Sequence, residues 1–205
     1  MKKYVFLIAV AAIFIGCQTP PDYEDLSSEF IVVTHLDKTA VFENYDTFYI
    51  SDTIVNLGGT GNDTIWHDDD AEELVAAVKQ NMTARGYTYV QRHQNPDIAI
   101  AMGAVKVVNV NYYPGWWYGY PGWFPSWGYP PYYPYYPWST VYVYDTGSII
   151  LDAYDVKNAD ANNQYRALWN SVSLGALGDS DSGNITRGVN SINQAYAQSP
   201  YFKAN

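Results

Sequence analysis

The chain is 205 residues long, carries a formal net charge of −10 and contains one cysteine. A lone cysteine excludes an internal disulfide and a cysteine-based zinc site, so the fold must rest on its own apolar core. The acidic balance repels phosphate backbones and anionic lipid, which removes nucleic acid from the expected partners.

At the start, Met1-Lys2-Lys3 and the apolar run from Tyr4 to Ile15 have the charged and hydrophobic regions of a secretory signal. The run is too short for a spanning helix, which needs ~20 apolar residues. It ends in Phe14-Ile15-Gly16-Cys17, which resembles the lipobox of bacterial lipoproteins with phenylalanine in place of the usual leucine. That resemblance implies a signal peptide over residues 1–16 and acylation of Cys17. Buried methylenes supply ~0.8 kcal/mol each, and more than one acyl chain is needed for a stable anchor. The alternative is an ordinary secretory signal with an incidental cysteine. Loss of Lys2 and Lys3 with the leader takes the net charge to −12, so membrane attachment is expected to depend on the lipid. Residues 17–29, with Pro20, Pro21, Asp22, Glu24 and Asp25, have too little apolar surface to pack and read as a flexible tether. The expected location is the bacterial cell envelope, at the outer membrane in a Gram-negative cell.

Residues 30–205 have the length of a single domain. Phe30 to Thr34 and Thr47 to Ile50 are β-branched and aromatic runs that predict strands, and residues 51–66, rich in Gly, Asn and Asp, predict a loop. Ala71, Leu74, Val75, Val78 and Met82 share one face at helical spacing, which predicts a helix over 71–85. Asp70 is its expected cap, Glu73 completes a capping box, and Gly86 supplies the left-handed residue after the last turn. Tyr87 to Val90 predicts a short strand. The alternation of Ile98, Ile100, Met102 and Ala104 predicts a half-buried strand over 98–110, with a core helix as the competing reading. Thr140 to Tyr144 and Ser148 to Val156 predict strands joined through a hairpin-like connection at Asp145-Thr146-Gly147, and Tyr165 to Leu174 predicts another. Ile185, Val189, Ile192 and Tyr196 mark a second helix that starts at Asn184 and stops before Pro200.

Residues 112–138 are almost entirely Tyr, Trp, Phe, Pro and Gly, with no Asp, Glu, Lys or Arg, and Pro114-Gly115-Trp116 recurs as Pro121-Gly122-Trp123. Proline and glycine at this density forbid a regular helix or a central strand, so the tract is expected to be a long insertion joining two paired strands. Each ring can bury ~150–250 Å², too much apolar surface to leave wholly in water. Three readings follow. The tract is a projecting loop packed on itself or disordered; or Trp116, Trp117, Trp123, Trp127 and Trp138 contact a partner envelope protein. In the third reading the same rings stack on a glycan, although the tract lacks the Asp, Asn or Arg that sugar hydroxyls call for.

The order of elements predicts an α+β domain, a mainly antiparallel sheet with two helices on one face and a long aromatic loop. The residues also resemble the bacterial lipoprotein family known as domain of unknown function 4136. The likeness is carried by Tyr45-Asp46-Thr47-Phe48, Arg85-Gly86-Tyr87, Pro96-Asp97-Ile98, and Gly147-Ser148-Ile149-Ile150-Leu151-Asp152 ahead of Trp169. In Asn170-Ser171 the amide residue usual after that tryptophan is present, but serine stands where glycine is usual, which bears on the local turn. The resemblance implies an α+β envelope domain and brings no catalytic residues with it.

Chemistry in the remaining sequence is sparse. His67-Asp68-Asp69-Asp70 offers metal-type ligands, but acids are expected at a helix start. Asp179-Ser180-Asp181-Ser182-Gly183-Asn184 echoes a calcium loop without its distant glutamate and reads as a turn. There is no nucleophile elbow, phosphate loop or dinucleotide fingerprint, so no cofactor, metal or catalytic residue is expected. Paired carboxylates such as Asp152 and Asp155 are the remaining route to an enzyme, a carboxylate-dependent hydrolase. The sequence therefore favours a lipid-anchored structural or protein-binding module, with glycan binding as the alternative.

Overall fold

A computed structural model describes residues 30–106, 110–112, 133–138, 142–144, 147–162, 164–177 and 184–205. The strands are β1 (Ile31–Leu36), β2 (Thr47–Ile50), β3 (Ile54–Leu57), β4 (Ile65–Trp66), β5 (Thr88–Tyr89), β6 (Ile98–Val105), β7 (Val110–Tyr112), β8 (Tyr133–Tyr135), β9 (Tyr142–Tyr144), β10 (Ser148–Asp155) and β11 (Gln164–Leu174). The helices are α1 (Asp69–Ala84), the single-turn α2 (Ala159–Asn162) and α3 (Asn184–Ala197).

Nine strands form one sheet in the order β1-β11-β10-β6-β2-β5. β3 lies end to end with β2 along β6, β4 pairs with β3, and β8 lies end to end with β1 along β11. The four long strands pair antiparallel, but β2 and β3 run parallel to β6, β5 parallel to β2, and β8 parallel to β11. The α+β class holds, and the sheet is mixed where the sequence predicted mainly antiparallel pairing. The parallel pairs of β2 and β3 with β6 and of β2 with β5 arise because the chain crosses one face through α1 between those strands, a connection that delivers them in the same direction.

β6 and β10 are buried at all eight of their positions, so the half-buried strand expected at 98–110 is covered on both faces and ends at Val105. Residues 51–66 contain the β3–β4 hairpin, because Ile54, Val55 and Leu57 bury their side chains beside β6 despite the glycine-rich turn that follows. β9 pairs with β7 in a separate two-stranded sheet and not with β10, so the expected 140–156 hairpin does not form. The β7–β9 ladder brackets the aromatic tract, as expected for an insertion between paired strands.

Helix α1 is capped by Asp68, not Asp70: its carboxylate accepts from the Ala71 amide at 3.0 Å. Trp66 decides the choice, since its indole Nε1 donates to the same oxygen and holds it in place. Both helices lie on one face over the larger core. There Trp169 donates Nε1 to Ser199 Oγ at 2.8 Å, and its ring packs against Tyr196 and Phe202, each 5.2 Å away between centroids. Phe202 also meets Phe42 and Tyr87, and the Ala204 amide bonds the Arg85 carbonyl, which ties the C-terminal tail beneath α1. Burial pushes the Tyr196 hydroxyl well above its ordinary pKa.

Gly147 takes φ +82°, and a Cβ there would sit 1.9 Å from the Leu177 carbonyl oxygen, so only glycine allows the close approach that starts β10. On α3, Gly188 faces α1, and a Cβ would fall 2.6 Å from Leu74 Cδ2. Alanine at 188 gains up to ~1 kcal/mol of helix propensity, while overpacking costs ~1–3 kcal/mol. Gly188→Ala is therefore expected to lower stability in urea melts, and a stabilised variant would contradict this packing.

Candidate functional site

The face of the sheet opposite the helices carries a second apolar cluster: Val55, Leu57, Ala101, Val105, Ile150, Tyr154, Ala159, Tyr165, Ala167 and Val172. Across its middle the register aligns His35 on β1, Asn170 on β11, Asp152 on β10 and Ala101 on β6. Side chains directly opposite in paired strands share a face, so the ladder brings an imidazole, an amide and a carboxylate into one row.

Asp152 is 1% exposed. Its Oδ1 accepts from Asn170 Nδ2 at 2.7 Å, and its Oδ2 accepts from Tyr136 at 2.8 Å and Tyr154 at 3.0 Å. The two tyrosine hydroxyls also meet each other. Tyr136 and Trp138 come from the last residues of the aromatic tract. β8 first pairs with β11, and the chain then passes onto this face, where Tyr136 meets Trp138 and Tyr154 edge-on at 5.5 and 6.0 Å. Trp138 stacks on His35 with centroids 6.1 Å apart. Burial lowers the His35 pKa below its ordinary value, because removal from water disfavours the charged imidazolium.

β8 includes Pro134, which the edge of a sheet tolerates because no inner partner needs its missing amide. The edge is braced below β1, where the Arg166 guanidinium pairs with Asp37 and its Nη2 donates to Thr39 Oγ1 at 2.7 Å. Burial alone would raise the Asp37 carboxyl, but the Thr39 amide and Arg166 outweigh it and hold its pKa below the usual value.

Of the residues expected to act, Cys17, Trp116, Trp117, Trp123 and Trp127 lie outside the described residues, as does the calcium-like turn from Asp179 to Gly183. Trp138 is described, half-buried and packed as above. Asp152 and Asp155 point to opposite faces: Asp155 accepts from Tyr45 Oη at 3.0 Å and from Asn158 on the helix side. They cannot flank one scissile bond. Among the described residues no cluster of three or more His, Cys, Asp or Glu is placed to hold a metal.

The sequence reading missed the row. The available signal was Asp152 inside the apolar run Ile149 to Tyr154, where strand alternation sends a carboxylate to the face of Ile150 and Tyr154. Asn170-Ser171 lies in the middle of β11, within the strand expected over Tyr165 to Leu174, and the Asn170 amide serves Asp152.

Together these features define an α+β domain with helices on one face of a mixed sheet and an aromatic arm locked to a polar row on the other. The model of the family described as Domain of unknown function (DUF4136) matches residues 32–201, and the chain belongs to that family. A DUF4136 family protein from Bacteroides thetaiotaomicron, known from a crystal structure, is 30% identical with a TM-score of 0.69, over 85% of this chain and 98% of that one. A PelC dodecamer from Paraburkholderia phytofirmans is similar at 10% identity and TM-score 0.43, over 86% of this chain and 99% of that one. A PDZ domain protein from Parabacteroides distasonis is similar at 16% identity and TM-score 0.44, over 88% of this chain and 39% of that one. At these scores neither of the last two bears on fold or function. No curated protein matches the chain.

Tyr136→Phe removes one donor from a buried carboxylate and is expected to cost ~1–3 kcal/mol in urea melts. A neutral substitution would show that Asp152 does not hold the arm. His35 adds a pH dependence. Its folded pKa lies below the unfolded one, so the unfolded chain binds more protons on acidification, and stability falls as pH drops through ~6.5. His35→Asn should flatten the wild-type loss between pH 7 and 5.5, and an unchanged slope would clear His35 of the effect.

Proposed function

We propose that the chain is a lipid-anchored envelope lipoprotein, held by acyl chains on Cys17, whose aromatic tract is a contact surface for an envelope protein. The observation that supports the reading is the mounting of the tract's last residues. β8 joins the main sheet, Tyr136 is bonded to a buried carboxylate, and Trp138 lies on His35. A tract fixed to a rigid body loses less conformational freedom when a partner closes on it, and Trp and Tyr are the side chains that most often carry contact energy. The leader, the lipobox-like Phe14-Ile15-Gly16-Cys17 and the acidic tether support the anchor.

Glycan binding ranks second. A sugar needs polar side chains free to meet its hydroxyl groups beside the rings. Of the polar groups that the fold brings near Trp138, Asp152 and Asn170 are only 1% and 2% exposed and bond one another, and His35 is covered by the Trp138 ring stacked on it. A hydrolase is disfavoured by the opposite orientations of Asp152 and Asp155.

Cys17→Ser is expected to move the protein from the membrane fraction to the soluble fraction, and a variant that still sediments with membranes after a high-salt wash would remove the anchor. Replacing Tyr113 to Tyr132 with a Gly-Ser linker leaves β8 and Tyr136 in place. The variant should fold and lose its cross-linked envelope partner in cells, and retention of every partner would end the contact-surface reading.

A further inference from the structure

The large apolar side chains left in water are not scattered. Among the described residues they are Ile31 (62% exposed), Val33 (38%), Val41 (51%) and Tyr135 (43%). Ile31 and Val33 lie on β1 and Tyr135 on β8, the two strands that share the outer side of β11, and Val41 follows β1 by a few residues. Three of the four therefore mark a single edge of the sheet.

β8, three residues long with Pro134 at its centre, is guarded, but the β1 part of that edge is not. Natural edge strands are blunted by lysine, proline, a bulge or short length. β1 is six residues of Ile-Val-Val-Thr-His-Leu, with no formal charge and no proline, and its ladder with β11 runs without a register shift. The opposite edge, β5, has two residues. β1 is thus the described edge long enough to template a further strand.

We propose that β1 pairs antiparallel with β1 of a second copy of this chain, joining two sheets across a two-fold axis. Antiparallel pairing about a two-fold uses the same strand twice, so the edge needs no other sequence to complement it. The acidic charge of the chain works against self-association, and Phe30 to Leu36 is a stretch along which two copies meet with no formal charge on either side. The chain ahead of β1 adds a reason that rests on the lipid-anchor reading. The segment from Cys17 to Phe30 reaches at most ~45 Å, which confines the β1 strands of neighbouring copies to one thin layer beside the bilayer. In the pair the two tethers leave ~20 Å apart, a spacing that lets both reach the same membrane.

The symmetry gives a signature that other contacts lack. In such a pair one residue faces its own copy, with Cα atoms ~4.5–5.5 Å apart, inside disulfide range, while its neighbours lie ~8 Å from theirs and outside it. The experiment places single cysteines at Ile31, Val32, Val33, Thr34 and His35 in the full-length chain, in the membranes of cells that make it. Disulfide-linked dimer is read against the parent chain. A peak of about fivefold at one position over both neighbours is expected. Equal yields across the strand, no dimer at any position, or linkage to a protein of another mass would overturn the proposal. Val33→Lys places like charges close to the axis on an exposed side chain that the fold does not need. It should abolish the dimer in sedimentation while leaving the far-UV circular dichroism spectrum of the folded chain unchanged, and a dimer that survives it would overturn the proposal equally. Fractionation of the same samples reports on the anchor separately, since the cross-link depends on pairing alone.

Discussion

A sheet whose central strands are apolar on both faces has to be covered twice, and among the described residues the two long helices cover only one side, with the single-turn α2 alone adding Ala159 to the other. β6 and β10 bury all eight of their residues each, while α1 and α3 pack over the same face. Tyr136 and Trp138, from the end of the aromatic tract, pack against the second cluster. Even a half-buried aromatic ring contributes on the order of 2 kcal/mol at ~25 cal/mol per Å². The composition of the tract therefore answers a need of the sheet as well as any need of a partner.

Apolar cover alone does not fix a position, and the polar row supplies what it lacks. Removing Asp152 from water costs several kcal/mol unless its oxygens are bonded. Asn170, Tyr154 and Tyr136 supply those bonds, and only one placement of the arm brings Tyr136 to Oδ2. A buried carboxylate in an apolar face thus trades some stability for a unique docking position. The pairing of β8 with Gln164 to Arg166 and the stacking of Trp138 on His35 agree with that position at two further points.

The residues that carry the family likeness act mainly on the fold. Asp97 accepts from the Asp46 and Thr47 amides at 2.7 and 3.1 Å, and its own amide donates to Thr47 Oγ1, which locks the start of β2 to the start of β6. Tyr45 reaches Asp155 at the far end of β10, Arg85 donates to the Tyr196 carbonyl, Gly147 permits the backbone contact with Leu177, and Trp169 anchors Ser199. Asp152 is the exception, since it belongs to the second face.

The two long helices, the main strands, the α+β class and the family could all be read from the residues. Each depends on local periodicity or on landmarks within short stretches, as with Leu74, Val78 and Met82 on one turn face or Phe48 and Ile50 on one strand face. What the sequence could not decide was pairing. That β2 and β3 run parallel to β6, that Val110 to Tyr112 meets Tyr142 to Tyr144 and not β10, and that Asp68 outcompetes Asp70 as the cap all depend on groups outside the local window. The row His35-Asn170-Asp152 is the clearest case. Those residues are distant along the chain and become neighbours only when three antiparallel strands fall into register, because side-chain proximity in a sheet is set by the ladder and not by spacing along one strand.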